Sequence, residues 1–114
     1  MIWIASSKRD LPALHREIVD AFGYALYLAQ LGDKHEHAKP LKGFGSAGVL
    51  EIVEDWRRST YRAVYTVRFK TGVFVLHVFE KKSKRGIETP KANPDLIHER
   101  LKTAELRARE LEHE

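Results

Sequence analysis

The stretch Thr60–Lys82, TYRAVYTVRFKTGVFVLHVFEKK, decides how this chain folds. Two runs rich in β-branched and aromatic residues, Thr60–Phe69 and Val73–Lys82, flank Lys70-Thr71-Gly72, a connection short enough for a hairpin. Side chains alternate along a strand. Tyr61, Ala63, Tyr65, Val67 and Phe69 therefore take one face, toward the helices, and Arg62, Val64, Thr66 and Arg68 take the other. With an even count in the hairpin connection, Arg62, Thr66 and Arg68 share their face with Val75, His77, Phe79 and Lys81; a bulge breaks that parity.

Working outward, Val49–Glu54 has the same strand character and is joined to the hairpin by the polar turn Asp55–Ser59, which makes a three-stranded antiparallel meander. The stretch from Lys8 to Leu31 is helical, with Leu14, Ile18, Ala21, Ala25 and Leu28 at steps of four and three, and Gly32 stops it. Pro12 implies a break or kink near its start. Ile2–Ala5 reads as a short strand before it, and the punctuated, basic segment Asp33–Gly48 as a loop. Ser83–Asn93 is a second basic loop. Asn93-Pro94-Asp95 starts a terminal helix whose stripe is Ile97, Leu101, Ala104, Ala108 and Leu111. The order is that of an α+β chain: N-terminal strand, helical segment, meander, C-terminal helix.

The chain has 114 residues, 43% hydrophobic and 32% charged, with no cysteine. This length suits a single domain, residues 1–114, and excludes a disulfide framework, a thiolate nucleophile and a cysteine zinc site. No apolar run nears the roughly 18 residues of a membrane span, and Met1–Ala5 meets Lys8-Arg9-Asp10 too early for a signal sequence, so a cytoplasmic location is expected. The net charge of +4 is unevenly distributed: Lys39–Lys91 holds twelve basic against five acidic residues, a local +7 that leaves −3 to the two ends.

The expected basic face carries Arg62, His77 and Lys81 with Phe79 among them, beside loops carrying Lys39, Lys42, Lys82, Lys84 and Arg85. RNA presents phosphates to such cations and unstacked bases to an aromatic ring. Cleavage by the neighbouring 2′-hydroxyl needs no metal where cations stabilise the phosphorane and a tuned lysine or histidine moves protons. A solvated sheet face is the plainer reading of the same residues.

Lys39-Pro40-Leu41-Lys42-Gly43, Leu50-Glu51-Ile52, Tyr61–Val67, Leu76–Lys84 and Thr89-Pro90, taken in this order, resemble the HigB-type toxins of the RelE/ParE superfamily, in the phage-derived Gp49-like branch. The resemblance implies a RelE/ParE-like single domain. It further implies an endoribonuclease acting on messenger RNA in the ribosomal A site and neutralised by a cognate helix-turn-helix antitoxin, with no cofactor. By position it implies catalytic roles for Arg62, His77 and Lys81, with Arg62 stabilising the transition state and His77 transferring a proton. RNA contacts fall to Lys39, Lys42, Lys82, Lys84 and Phe79. Two departures stand out: this chain has Ile52-Val53 where relatives often carry an arginine soon after their Leu-x-Glu element, and no tyrosine follows Tyr65 where RelE-type enzymes use one near the C-terminus.

The other features read more simply. His35-Glu36-His37 has no third ligand close in sequence and reads as a surface pair, so no metal site is expected. His15, His98 and His113 are expected on helix surfaces, and Trp3 in the core. Trp56 suits either a turn or a stacked base. Two other functions fit the same residues: a non-catalytic module that holds RNA or the ribosome, and a protein that inhibits gyrase or acts within a repressor complex.

Overall fold

The computed structural model describes residues 1–45, 48–82 and 94–113, apart from the side chains of Lys81 and Lys82. Strand β1 (Ile2–Trp3) leads into a single turn, α1 (Ser7–Asp10), and then α2 (Arg16–Gln30). The break expected at Pro12 is present: proline has no N–H to donate, so α1 ends at Asp10 and α2 starts afresh, capped by His15, whose Nδ1 accepts from the Glu17 N–H at 3.4 Å. Gly32, at φ +83°, ends α2 in a Schellman turn, with Gly32 N–H donating to Ala29 O and Asp33 N–H to Leu28 O.

β2 (Ala38–Pro40), β3 (Val49–Trp56), β4 (Ser59–Thr66) and β5 (Phe74–Lys82) follow, and α3 (Pro94–Glu112) closes the order. The sheet runs β1-β5-β4-β3-β2, antiparallel except for the β1/β5 pair. The expected meander is β3-β4-β5. It gains a strand on each side: β1 lies parallel beside β5, and the chain then crosses over through α1 and α2 so that β2 pairs antiparallel with β3 at the opposite edge. Pro40 is tolerated in β2 because an edge strand needs no donor on its outer side.

Helices cover both faces. On one, Ile18, Phe22, Ala25 and Leu26 of α2 pack on Ile52, Tyr61, Ala63, Tyr65 and Val78, the face expected to meet helices. On the other, Ile97, Ala104 and Ala108 of α3 pack on Val49, Val64, Phe74 and Leu76. The terminal helix thus buries its stripe on the face that carries Arg62.

Strand parity holds only in part. Arg62 stands opposite Phe79 and Val64 opposite His77, on the α3 face as expected, and the backbone of Thr60 pairs with that of Lys81. A bulge then shifts the register between Val64 and Tyr65, so that Tyr65 pairs with Val75. Leu76 and His77 together oppose Val64, and Val75 turns to the α2 side rather than joining Arg62. β4 also ends at Thr66, three residues before the expected end. Phe69 consequently leaves the Tyr61 face and packs edge-on against Phe74, with ring centres 5.4 Å apart. Gly48, at φ +67°, lets the β2–β3 connection pass close to Arg68; an added Cβ would lie 3.3 Å from its backbone. Among the described residues no helix is long and apolar enough to cross a membrane.

Candidate functional site

Register builds the site. Lys39 opposes Glu51, Glu51 opposes Val64 and Val64 opposes His77, which gives one row across four strands; Val53, Arg62 and Phe79 form the next. Strands lie about 4.8 Å apart, so Lys39 and His77 stand roughly 14 Å from each other along this row, a span of more than one nucleotide.

Arg62 and Glu51 form an ion pair, Nη1 to Oε2 3.0 Å, with side chains 24% and 7% exposed. The guanidinium cancels a carboxylate that the sheet has removed from water, and its Nε is buried without a hydrogen-bond partner among the described residues. His77 lies flat against Phe79, ring centres 4.6 Å apart at 19°. Arg100, reaching down from α3, donates through Nη1 to both Leu76 O and His77 Nδ1, each at 2.9 Å. A guanidinium only donates, so Nδ1 is the acceptor and the neutral ring carries its proton on Nε2. Burial, and then the Arg100 charge, push the His77 pKa below its ordinary value, against a smaller upward pull from Asp10. His77 is therefore a neutral N–H donor at neutral pH.

The remaining candidates are more peripheral. Lys39 is exposed on the edge strand and Lys42 is exposed in the turn after it. The backbone of Lys81 pairs with Thr60 and that of Lys82 with Ser59, which brings the end of β5 beside the start of β4. Lys84 and the basic loop 83–93 lie outside the described residues. Trp56 is engaged: His15 stacks on its ring at 3.7 Å, Arg57 lies over it at 4.5 Å and its Nε1 donates to Glu17 Oε2 at 2.5 Å.

A family comparison bears on this arrangement. The model for phage derived protein Gp49-like matches residues 9–102, well over half of the chain. The chain belongs to this family. No match was found among curated proteins or among solved structures. The Gp49-like span begins in α1 and ends in α3, so Lys39, Glu51, Arg62, His77, Phe79 and Arg100 all fall within it.

Sequence reasoning missed Glu51, Arg100 and Asp10. Glu51 had a signal: a lone carboxylate inside Val49–Val53, a run otherwise apolar enough to be buried on both faces. Arg100 had another, since it follows Ile97 by three residues and so shares the buried side of α3. The surface pair His35 and His37 also gains what the sequence did not show: Glu54 of β3 joins them, with ligand atoms of all three within 4.8 Å.

Proposed function

We propose that this chain is the toxin of a type II toxin–antitoxin pair, HigB-like in action: a cytoplasmic, ribosome-dependent messenger-RNA endoribonuclease that blocks translation and is held in check by a cognate helix-turn-helix antitoxin. The observation that carries the reading is the sheet register that gathers Arg62, His77 and Phe79 on one face, with Lys39 at its edge. Membership of the Gp49-like family, which is toxin-like, supports it.

In this mechanism the substrate 2′-hydroxyl attacks the adjacent phosphorus while the bond to the 5′-oxygen breaks. A 2′,3′-cyclic phosphate and a 5′-hydroxyl result, with one proton leaving the nucleophile and one reaching the leaving oxygen. Arg62 and Lys81 offset the extra charge on the phosphorane, Lys39, Lys42, Lys82 and Lys84 hold the backbone, and the ring of Phe79 supports a base. His77, neutral with its proton on Nε2, supplies a hydrogen-bond donor to a phosphate oxygen, and a lysine in its ammonium form gives the proton to the departing 5′-oxygen. The proton acceptor for the 2′-hydroxyl is then a lysine.

A second reading has its own support. Arg62 is neutralised by Glu51 and His77 is tied to Arg100, an arrangement that suits a non-catalytic RNA or ribosome binder as well. Induced expression with mapping of messenger-RNA 5′-ends separates the two. The variant of choice is Glu51→Gln/Arg62→Gln, which removes the cation without stranding a carboxylate. In-frame cuts by the wild type that vanish in the folded double variant are expected. Growth arrest without cuts moves the reading to the binder or to a gyrase-type target, cuts that persist in the variant remove Arg62 from the site, and no arrest overturns the toxin reading.

A further inference from the structure

On the opposite side of the sheet from Arg62, the connection between α2 and β2 meets β3. His37, the residue before β2, has its Nδ1 2.6 Å from Glu54 Oε1. Its other nitrogen, Nε2, stands 3.8 Å from the carboxylate of Glu36. His35 lies beside them, its ring centre 5.0 Å from that of His37, its Nδ1 accepting from the His37 N–H at 3.0 Å and its edge against Tyr24. Tertiary structure adds a third candidate ligand to the two histidines: Glu54 is seventeen positions away from His37 yet in hydrogen-bond contact with it.

We propose that His35, His37 and Glu54 bind a divalent transition metal of the zinc class, which clamps the start of β2 to β3. Two imidazoles and a carboxylate form a donor set suited to zinc, whereas magnesium and calcium want oxygen ligands almost exclusively. In a tetrahedral site with bonds of about 2.0–2.2 Å the donor atoms are roughly 3.4 Å apart. The present donors lie within 4.8 Å, so closure requires a movement on the order of 1 Å. The ligands allow it: the His37 side chain is 50% exposed, while Glu54, 18% exposed on β3, is the anchor. Metal entry exchanges the proton held between His37 and Glu54 for the cation, with water in the fourth position. Glu36 then stands where a carboxylate orients a metal-bound imidazole through its far nitrogen. The inference is independent of the proposed nuclease function.

The test uses the full chain, free of any purification tag and stripped with a chelator. Calorimetric titration with zinc chloride in excess magnesium chloride gives stoichiometry and affinity, and histidine-ring NMR locates the ion. One zinc per chain is expected, shifting the His35 and His37 rings and leaving those of His15, His98 and His113 in place. His35→Ala and Glu54→Gln should each weaken binding at least about tenfold, and a His15→Ala/His98→Ala/His113→Ala variant should bind as the wild type does. Thermal unfolding in the absence of metal checks that each variant folds. Lack of binding by the wild type, equal competition by magnesium, or affinity retained in folded His35→Ala and Glu54→Gln overturns the proposal.

Discussion

Removing the Arg62 side chain alone should cost far more stability than removing its ion pair as a whole. Glu51 is 7% exposed and its carboxylate lies 3.0 Å from the Arg62 guanidinium. At an effective dielectric constant near 20 their attraction is about 5 kcal/mol, opposed by a desolvation penalty of several kcal/mol. The pair is then close to neutral overall, while Arg62→Ala leaves a buried carboxylate with nothing to offset its desolvation, at a cost of about 3 kcal/mol. Glu51→Gln should cost less, about 1 kcal/mol, because Arg62 is 24% exposed and can turn toward water. The double variant Glu51→Gln/Arg62→Ala should lie near 1 kcal/mol, giving a coupling energy of about 3 kcal/mol. Urea unfolding of the four proteins, followed by far-ultraviolet circular dichroism at pH 7, measures all the terms. An Arg62→Ala loss below 1 kcal/mol, or costs that simply add, refutes the argument that Arg62 is retained to neutralise Glu51. The result also governs any activity assay, since a total stability of roughly 5–15 kcal/mol makes a loss of that size easy to mistake for a catalytic defect.

Other expected outcomes concern single elements. His77 has its folded-state pKa lowered by burial and by Arg100, so between the ordinary value of 6.5 and that lower value the unfolded chain binds more protons. Stability contributed at His77 is thus present above pH 6.5 and lost as pH falls through that window; in unfolding titrations His77→Gln should flatten the slope there, and an unchanged slope removes His77 from the account. Gly48→Ala places a Cβ at φ +67° and 3.3 Å from Arg68, for an expected loss of about 1–2 kcal/mol by urea unfolding; a neutral effect contradicts the close passage of the two chains.

Local signals fixed much of the architecture. The missing donor of Pro12 sets the α1/α2 break, the left-handed Gly32 ends α2, and the stripe Ile18, Phe22, Ala25 and Leu26 is the face that α2 buries. Alternation in Thr60–Thr66 was legible too and set Arg62 on the face opposite Tyr61; His77 and Phe79 join Arg62 because the bulge offsets an odd, seven-residue connection between β4 and β5. The limits of that reading were also local: nothing in the residues after Thr66 announced that β4 stops there, and three residues, Ala38–Pro40, are too few to declare an edge strand by pattern.

What the sequence by itself determined is the α+β order of elements, the apolar faces of its helices and the concentration of positive charge between Lys39 and Lys91. All of these depend on residues within a few positions of one another, where backbone geometry and side-chain periodicity act directly. Only tertiary structure decided that the bulge at Leu76-His77 turns Val75 away from Arg62, and that Arg62 meets Glu51. The same holds for Arg100 holding the His77 ring and for Glu54 joining His35 and His37. Each of these depends on the register between separate elements, and register is set by how whole faces fit together, since a slip of one residue reverses every side chain of a strand without changing its local pattern.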